Sequence, residues 1–266
     1  MRSTPPYRIA ALLCAGYGTR MGELTAGTPK PLLPVAGRPI LDYLMERLLE
    51  LPSLAAVHVV TNARDAGQLD AWADGWRGRR PGAPPLAVHD DGTRRNEERL
   101  GAVGDLAFLL DRLASERRGA FPDGALVAAG DNILRFSLAP LWRAFLGDGA
   151  SRVLALRGED PADLRRTAVL ELDPEDGRVL KLHEKPEEPP SRWACPSIYC
   201  LGAAALGRVG PYLATGRPRD EIGRFVADLV ERQPVYAVEA VGERLHVGSP
   251  ESYRRADELL RQANQD

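Results

Sequence analysis

The feature that most restricts this sequence is an alternation of short apolar runs with helical periodicity across its first half. Residues 8–15 form an apolar run ending at Gly16, and residues 55–61, 86–89 and 125–129 repeat that character. Runs of this kind read as strands buried on both faces. Between them, apolar residues at 40, 41, 44, 45, 48 and 49, following Pro39, predict a helix over 40–51. Residues 66–76 and 100–115 predict two more. Strands alternating with helices close as βαβ units around a parallel sheet.

After residue 150 the pattern changes. Residues 153–156, 169–172, 179–182 and 198–201 are strand-like, and Asp173-Pro174-Glu175-Asp176-Gly177 between the second and third is a turn sequence. That predicts an antiparallel hairpin. Residues 222–232 and 250–262 close the chain as helices, and 78–85 read as a Pro/Gly/Arg loop. The expected fold is α/β: a Rossmann-like mixed, mainly parallel central sheet with helices on both faces and an added antiparallel hairpin. No repeat, low-complexity tract or clean linker divides the 266 residues, so one domain is expected.

Several functions are set aside early. The net charge is -2 with no basic stripe, which argues against a nucleic-acid binder. No apolar run approaches the roughly 20 residues that span a bilayer. Residues 1–7 are polar and proline-bearing rather than a secretory signal. Cys14, Cys195 and Cys200 are too sparse for a disulfide framework, and a cytoplasmic location is expected. Of the 35 Lys and Arg residues only three are lysines: Lys30, Lys181 and Lys185. A lysine kept in so Arg-rich a chain is one candidate for a compact point charge that a planar guanidinium cannot replace; chance is the other.

The first strand runs into Ala15-Gly16-Tyr17-Gly18-Thr19-Arg20-Met21-Gly22. A dinucleotide fingerprint needs a third glycine one position earlier and a helix directly after it. Pro29, Pro31 and Pro34 forbid a helix across the following stretch, and the GxxxxGK[ST] phosphate loop is absent. A hydride-transferring dehydrogenase is therefore disfavoured. Gly16 and Gly18 let backbone N–H groups approach an anion, Arg20 offers a fork for phosphate oxygens, and Lys30 can return as a second cation. The alternative is a plain βα connection with Arg20 in solvent.

The segments Leu13-Cys14-Ala15-Gly16-Tyr17-Gly18-Thr19-Arg20, Leu24-Thr25 and Pro29-Lys30-Pro31-Leu32-Leu33-Pro34-Val35-Ala36-Gly37-Arg38-Pro39 closely resemble the opening of the sugar-1-phosphate nucleotidyltransferases. Those enzymes join a nucleoside triphosphate to a sugar 1-phosphate and release pyrophosphate. The resemblance continues to about residue 252. It implies a nucleotide-binding part over 1–150, an acceptor-binding part over 151–250 and a C-terminal helix over 250–263. It also implies catalytic roles for Arg20, Lys30, Asp131 and Lys185, with Mg²⁺ as cofactor. Ala15, Gly16, Gly18, Thr19, Arg20, Lys30, Asn96 and Gly101 would bind nucleotide.

Gly130-Asp131-Asn132 follows the strand over 125–129. A lone carboxylate there suits Mg²⁺ that takes its other ligands from phosphates, or else simply caps the strand; the resemblance implies the metal-binding role. Glu184-Lys185-Pro186 ends a hairpin strand. Left to itself it reads as a solvated strand end, while the resemblance gives Glu184 to acceptor hydroxyls and Lys185 to the acceptor phosphate. Asn96, five residues before Gly101, reads equally as a surface residue and as a base-reading amide.

Two positions depart from the family. His246, in Leu245-His246-Val247-Gly248-Ser249-Pro250, stands where a second metal-binding Asp is expected, and imidazole is a poor Mg²⁺ ligand. Ser197, in Trp193-Ala194-Cys195-Pro196-Ser197-Ile198-Tyr199, stands at an acceptor-contacting position where Gly is usual. These departures leave two alternatives: a cytidylyltransferase acting on choline phosphate, a cyclitol phosphate or a phosphonate, and a non-catalytic nucleotide-sugar-binding regulatory subunit. The partners expected are a nucleoside triphosphate and a phosphorylated small-molecule acceptor. The family often forms homo-oligomers, but no interface is legible. His58, His89 and His183 read as structural, and Lys181 as solvated.

Overall fold

A computed structural model of the chain describes residues 5–77, 82–117 and 121–264. In order, β1 (Arg8–Leu13) leads through a long loop to α1 (Ile40–Leu49), β2 (Ala56–Thr61), α2 (Ala66–Trp76), β3 (Leu86–Asp90), α3 (Ala102–Glu116) and β4 (Gly124–Ala129). Then follow β5 (Asn132–Leu134), α4 (Ala139–Asp148), β6 (Ser151–Arg157), β7 (Ala168–Leu172), β8 (Val179–Glu184), β9 (Trp193–Cys195) and β10 (Ile198–Gly202). The chain closes with α5 (Val209–Ala214), α6 (Ile222–Val230), β11 (Val235–Glu239), β12 (Arg244–His246) and α7 (Pro250–Ala263). Of the loop expected over 78–85, residues 78–81 lie outside the described residues.

A ten-stranded sheet orders these strands β8-β7-β9-β6-β10-β4-β1-β2-β3, with β11 running parallel along β6. The block β4-β1-β2-β3 is parallel throughout, as the βαβ alternation predicts. β10 enters antiparallel between β4 and β6, joining that block to the added hairpin β7–β8. The hairpin turn closes where the sequence places it. Gly177, at φ 72°, donates its amide to the Asp173 carbonyl at 3.0 Å.

Alternation along β1 sends Ile9, Ala11 and Leu13 to one face, where α3 and α6 cover them. Ala10, Leu12 and Cys14 face α1 and α4. Leu12 is fully buried, and truncating such a side chain to Ala costs about 2–5 kcal/mol. α4 is not among the helices expected from sequence, although Leu138, Leu141, Trp142 and Phe145 follow a helical period and are all buried. Among the described residues no helix is long and apolar enough to cross a membrane.

A third, smaller core fixes the loop after β1. Met21, Leu33 and Val35 pack with Ile133, Leu245, Val247 and Leu260, tying the loop to β5, β12 and α7. Tyr253 on α7 donates its hydroxyl to the Pro34 carbonyl at 2.7 Å, and Asp257 accepts the Ala36 amide at 2.7 Å. Ser249 caps α7 by accepting the Ser252 amide. The C-terminal helix thus sets the position of the loop that carries Lys30. Prolines exclude an α-helix from that loop as expected, and short 3-10 turns at Thr19–Thr25 and Lys30–Leu32 take its place.

Candidate active site

The loop leaves β1 at the carboxyl end of the parallel block. The amides of Gly16, Tyr17 and Gly18 donate to no group among the described residues, which leaves them available to an anion. Gly18 holds φ 65°, and Thr25 hydroxyl donates to the Gly18 carbonyl at 3.1 Å and to that of Gly22 at 3.2 Å, bracing the turn. Asn62 donates to the Ala15 carbonyl at 3.1 Å. Thr19 opens the first 3-10 turn, and Arg20 beside it is exposed, without a carboxylate partner among the described residues.

Lys30 crosses from this loop to β4. Its Nζ stands 2.5 Å from Asp131 Oδ2, and both side chains are largely buried. Gly130 lets the end of β4 pack closely on the end of β1, since a Cβ at this position would lie 2.3 Å from Cys14 Sγ. Burial alone would raise the Asp131 pKa, but the nearby Lys30, His246 and Arg244 outweigh it and hold the carboxyl far below its usual range. The other carboxylate oxygen, Oδ1, faces His246 Nδ1 at 3.7 Å. Partial enclosure and the cations Arg244, Lys30 and Arg20 push His246 down to about 4 despite the attraction of Asp131, while its side chain keeps 41% exposure on the cleft wall. Asn132, fully buried, accepts from Arg244 Nε at 2.6 Å.

On the acceptor side, Lys185 adopts φ 49°, a backbone state that costs about 1–3 kcal/mol for a residue with a side chain. Its amide donates to the Thr167 carbonyl at 3.2 Å and its ammonium pairs with Glu221. Glu184 lies against the start of α6, where a Cβ on Gly223 would stand 1.8 Å from Glu184 Oε2. Burial and the facing Glu221 raise the Glu184 pKa. Ser197 accepts the Ala129 amide on its carbonyl at 3.1 Å, so it sits directly beside the end of β4.

A cleft of about 960 Å³ is lined by Arg20, Lys185, Arg244 and His246 together. Asp131 and Lys30 do not line it; Asp131 Oδ1 touches His246, which does, and Lys30 pairs with Asp131. The structure therefore gathers Arg20, Lys30, Asp131, Lys185 and His246. Ala15, Gly16, Gly18, Thr19, Glu184 and Ser197 do not line this cleft, nor do Asn96 and Gly101, which stand at the head of α3. Asn96 is half-buried in a turn whose carbonyl accepts from Arg99. Gly101, at φ 77°, has the Arg219 carbonyl 2.7 Å from the place a Cβ would occupy. His58 and His89 hydrogen-bond each other at 2.9 Å, His183 pairs with Glu171, and Lys181 is exposed, as expected.

Sequence reasoning missed four residues around the site. Glu221, which holds Lys185, lies 36 residues away from it with no local signal. Arg244, two residues before His246, falls outside every quoted motif. Asp91 and Asp105 form a carboxyl pair behind the glycine loop: Asp91 accepts from Thr93 at 2.7 Å, and Thr93 in turn accepts the Tyr17 hydroxyl at 3.0 Å. Burial and the facing Asp91 push Asp105 up to about 8.

A parallel sheet with this set of cations and a carboxylate gathered beside its strand ends suits chemistry on phosphate groups. The family profile described as Nucleotidyl transferase matches residues 9–263, and the chain belongs to that family. The UTP–glucose-1-phosphate uridylyltransferase of Haloferax volcanii is 25% identical over 254 residues, covering 95% of this chain and 96% of the relative. That of Escherichia coli K12 is 25% identical, covering 93% and 90%. The mannose-1-phosphate guanylyltransferase catalytic subunit beta of Drosophila pseudoobscura is 27% identical over 92% of this chain, which spans 60% of its length. A crystal structure from Bacillus anthracis, described as a glucose-1-phosphate thymidylyltransferase, superposes with TM-score 0.73 at 22% identity over 96% of this chain and 95% of its own; this likeness supports the fold.

Proposed function

We propose that this enzyme transfers a nucleotidyl group from a nucleoside triphosphate to a sugar 1-phosphate, giving a nucleoside-diphosphate sugar and pyrophosphate. The observation that carries the reading is a cleft that holds Arg20, Lys185 and His246 together, with the Lys30–Asp131 pair joined to it through the Asp131–His246 contact. An acceptor phosphate oxygen attacks the α-phosphorus in line as pyrophosphate leaves, so no protein nucleophile is required. The free loop amides and Arg20 hold the β- and γ-phosphates. Lys30 neutralises the α-phosphate, and Lys185 orients the attacking phosphate once it exchanges Glu221 for that ligand.

Asp131 suits a divalent ion in one respect, because its carboxylate stays ionised and offers a hard oxygen. Among the described residues no cluster of three or more His, Cys, Asp or Glu could cage a metal, so Mg²⁺ would take most of its ligands from the triphosphate and water. Bound there, it would supply charge neutralisation at the transferring phosphate. The buried, unpaired thiols Cys14, Cys195 and Cys200 fit a reducing cytoplasm. Pyrophosphate release, measured across four nucleoside triphosphates and a set of sugar 1-phosphates, tests the reading. Turnover by at least one pair supports it, and none with Mg²⁺, Mn²⁺ or Co²⁺ would contradict it.

A further inference from the structure

Seven Lys and Arg side chains line the cleft against five acids, and Arg244 is held in place by a neutral side chain. Arg244 is largely withdrawn from water. Its Nε is held by Asn132 at 2.6 Å, yet no carboxylate pairs with its guanidinium among the described residues. The side chain lines the cleft. The carboxylates of Asp131 and Asp163 act on it electrostatically, and neither forms an ion pair with it among the described residues. A guanidinium so placed is costly unless a ligand supplies its anion. Arg157 and Arg166 line the same cleft and also lack a carboxylate partner among the described residues. Five acids line the cleft as well: Asp160 accepts the Ala162 amide at 2.8 Å, Glu243 pairs with Arg135 at 2.8 Å, and Glu159, Asp163 and Glu251 complete the set.

In the proposed reaction Lys185 already serves the acceptor phosphate, while Arg20 and Lys30 serve the triphosphate. We propose that the acceptor carries a second anionic group, a carboxylate or a further phosphate on the sugar. Arg244 reads it from beneath, and Arg157 and Arg166 read it from the rim. A guanidinium fork matches either group through paired N–H···O bonds, which a neutral hydroxyl cannot accept with the same strength. The inference rests on the nucleotidyl-transfer reading and narrows its substrate class.

Calorimetric binding tests it, with Mg²⁺ and a non-hydrolysable α,β-methylene triphosphate present. The probes are glucose, galactose and mannose 1-phosphates, each beside its uronic acid 1-phosphate and its 1,6-bisphosphate. In at least one configuration an anionic probe should bind about tenfold tighter or more than its neutral partner, the gain of one added charge-assisted hydrogen bond. The uronic acid and bisphosphate arms then show which anion is read. The advantage should shrink to within about twofold in Arg244→Gln. It should shrink likewise in the Arg157→Gln/Arg166→Gln pair, whose exposed positions keep the test decisive should Arg244→Gln misfold. Equal binding of neutral and anionic probes overturns the proposal. So does an advantage that survives every folded variant, or equal weakening of both probes. If neutral sugar 1-phosphates are turned over with no preference for the anionic ones, the reaction stands and this inference falls. If no sugar phosphate of either kind binds, both fall.

Discussion

Lys30 and Asp131 are 101 residues apart in the chain and 2.5 Å apart in the fold. One rides the proline-stiffened loop after β1 and the other caps β4, so the pair joins the glycine loop to the centre of the parallel block. Asp131→Asn should lower turnover by about 10²–10³, the usual cost of one preorganised electrostatic contact. It should also destabilise the fold by about 3–5 kcal/mol, because the half-sealed Lys30 ammonium loses its counter-charge. Chemical denaturation and steady-state rates check the two effects separately. The carboxyl is held below its usual pKa in the folded state, so its contribution to stability is present above that usual value. It is lost as pH falls through the lowered one.

Gly223 offers a steric probe of the acceptor side. A methyl group there would overlap the Glu184 carboxylate. Gly223→Ala should cost about 1–3 kcal/mol and raise the acceptor KM, since Glu184 must move. Gly210→Ala is the control. It lies in α5 with nothing within 4 Å of the new methyl, and should be neutral or stabilising by up to about 1 kcal/mol.

The Asp91–Asp105 pair predicts a fold that loosens toward alkaline pH. Asp105 keeps its proton up to about 8, far above its value in the unfolded chain. The stability tied to that proton is complete at acid pH and is lost as pH rises through the folded pKa. The steepest slope expected from one proton is about 1.4 kcal/mol per pH unit. Asp105→Asn keeps a donor toward Asp91 at every pH, so unfolding free energies taken between pH 5 and 9 should lose this slope in the variant.

His58 acts in the opposite direction. It is buried between Tyr7 and His89, with its pKa pushed down to about 4 by burial, by His89 and by Arg117. The unfolded chain takes up its proton first, so stability falls as pH drops from about 6.5 toward 4. His58→Gln should remove much of that loss, as melting temperatures measured against pH would show.

Much of this architecture is legible in the sequence because its central strands are parallel and buried on both faces, which writes them as continuous apolar runs. The Asp173–Gly177 turn is legible because its residues carry their own hydrogen-bonding preferences. β5 and β12 are not, since three residues hold no period and their pairing spans more than a hundred positions. Lys30 could be singled out from its proline-stiffened loop beside Arg20, whereas Asp131 and Lys185 stand out only through the family resemblance of their short segments. Glu221 and Arg244 could not, because what matters about them is which distant residue they face.

The most direct test is pyrophosphate release by Lys185→Ala beside the parent enzyme, with nucleotide affinity measured in parallel. If four ionic groups surround one transfer, release requires both triphosphate and sugar phosphate. The variant then loses about 10²–10³ in kcat/KM for the acceptor while its nucleotide Kd stays at the parent value. Parent-like turnover in the variant, or release that needs no acceptor, would contradict the account.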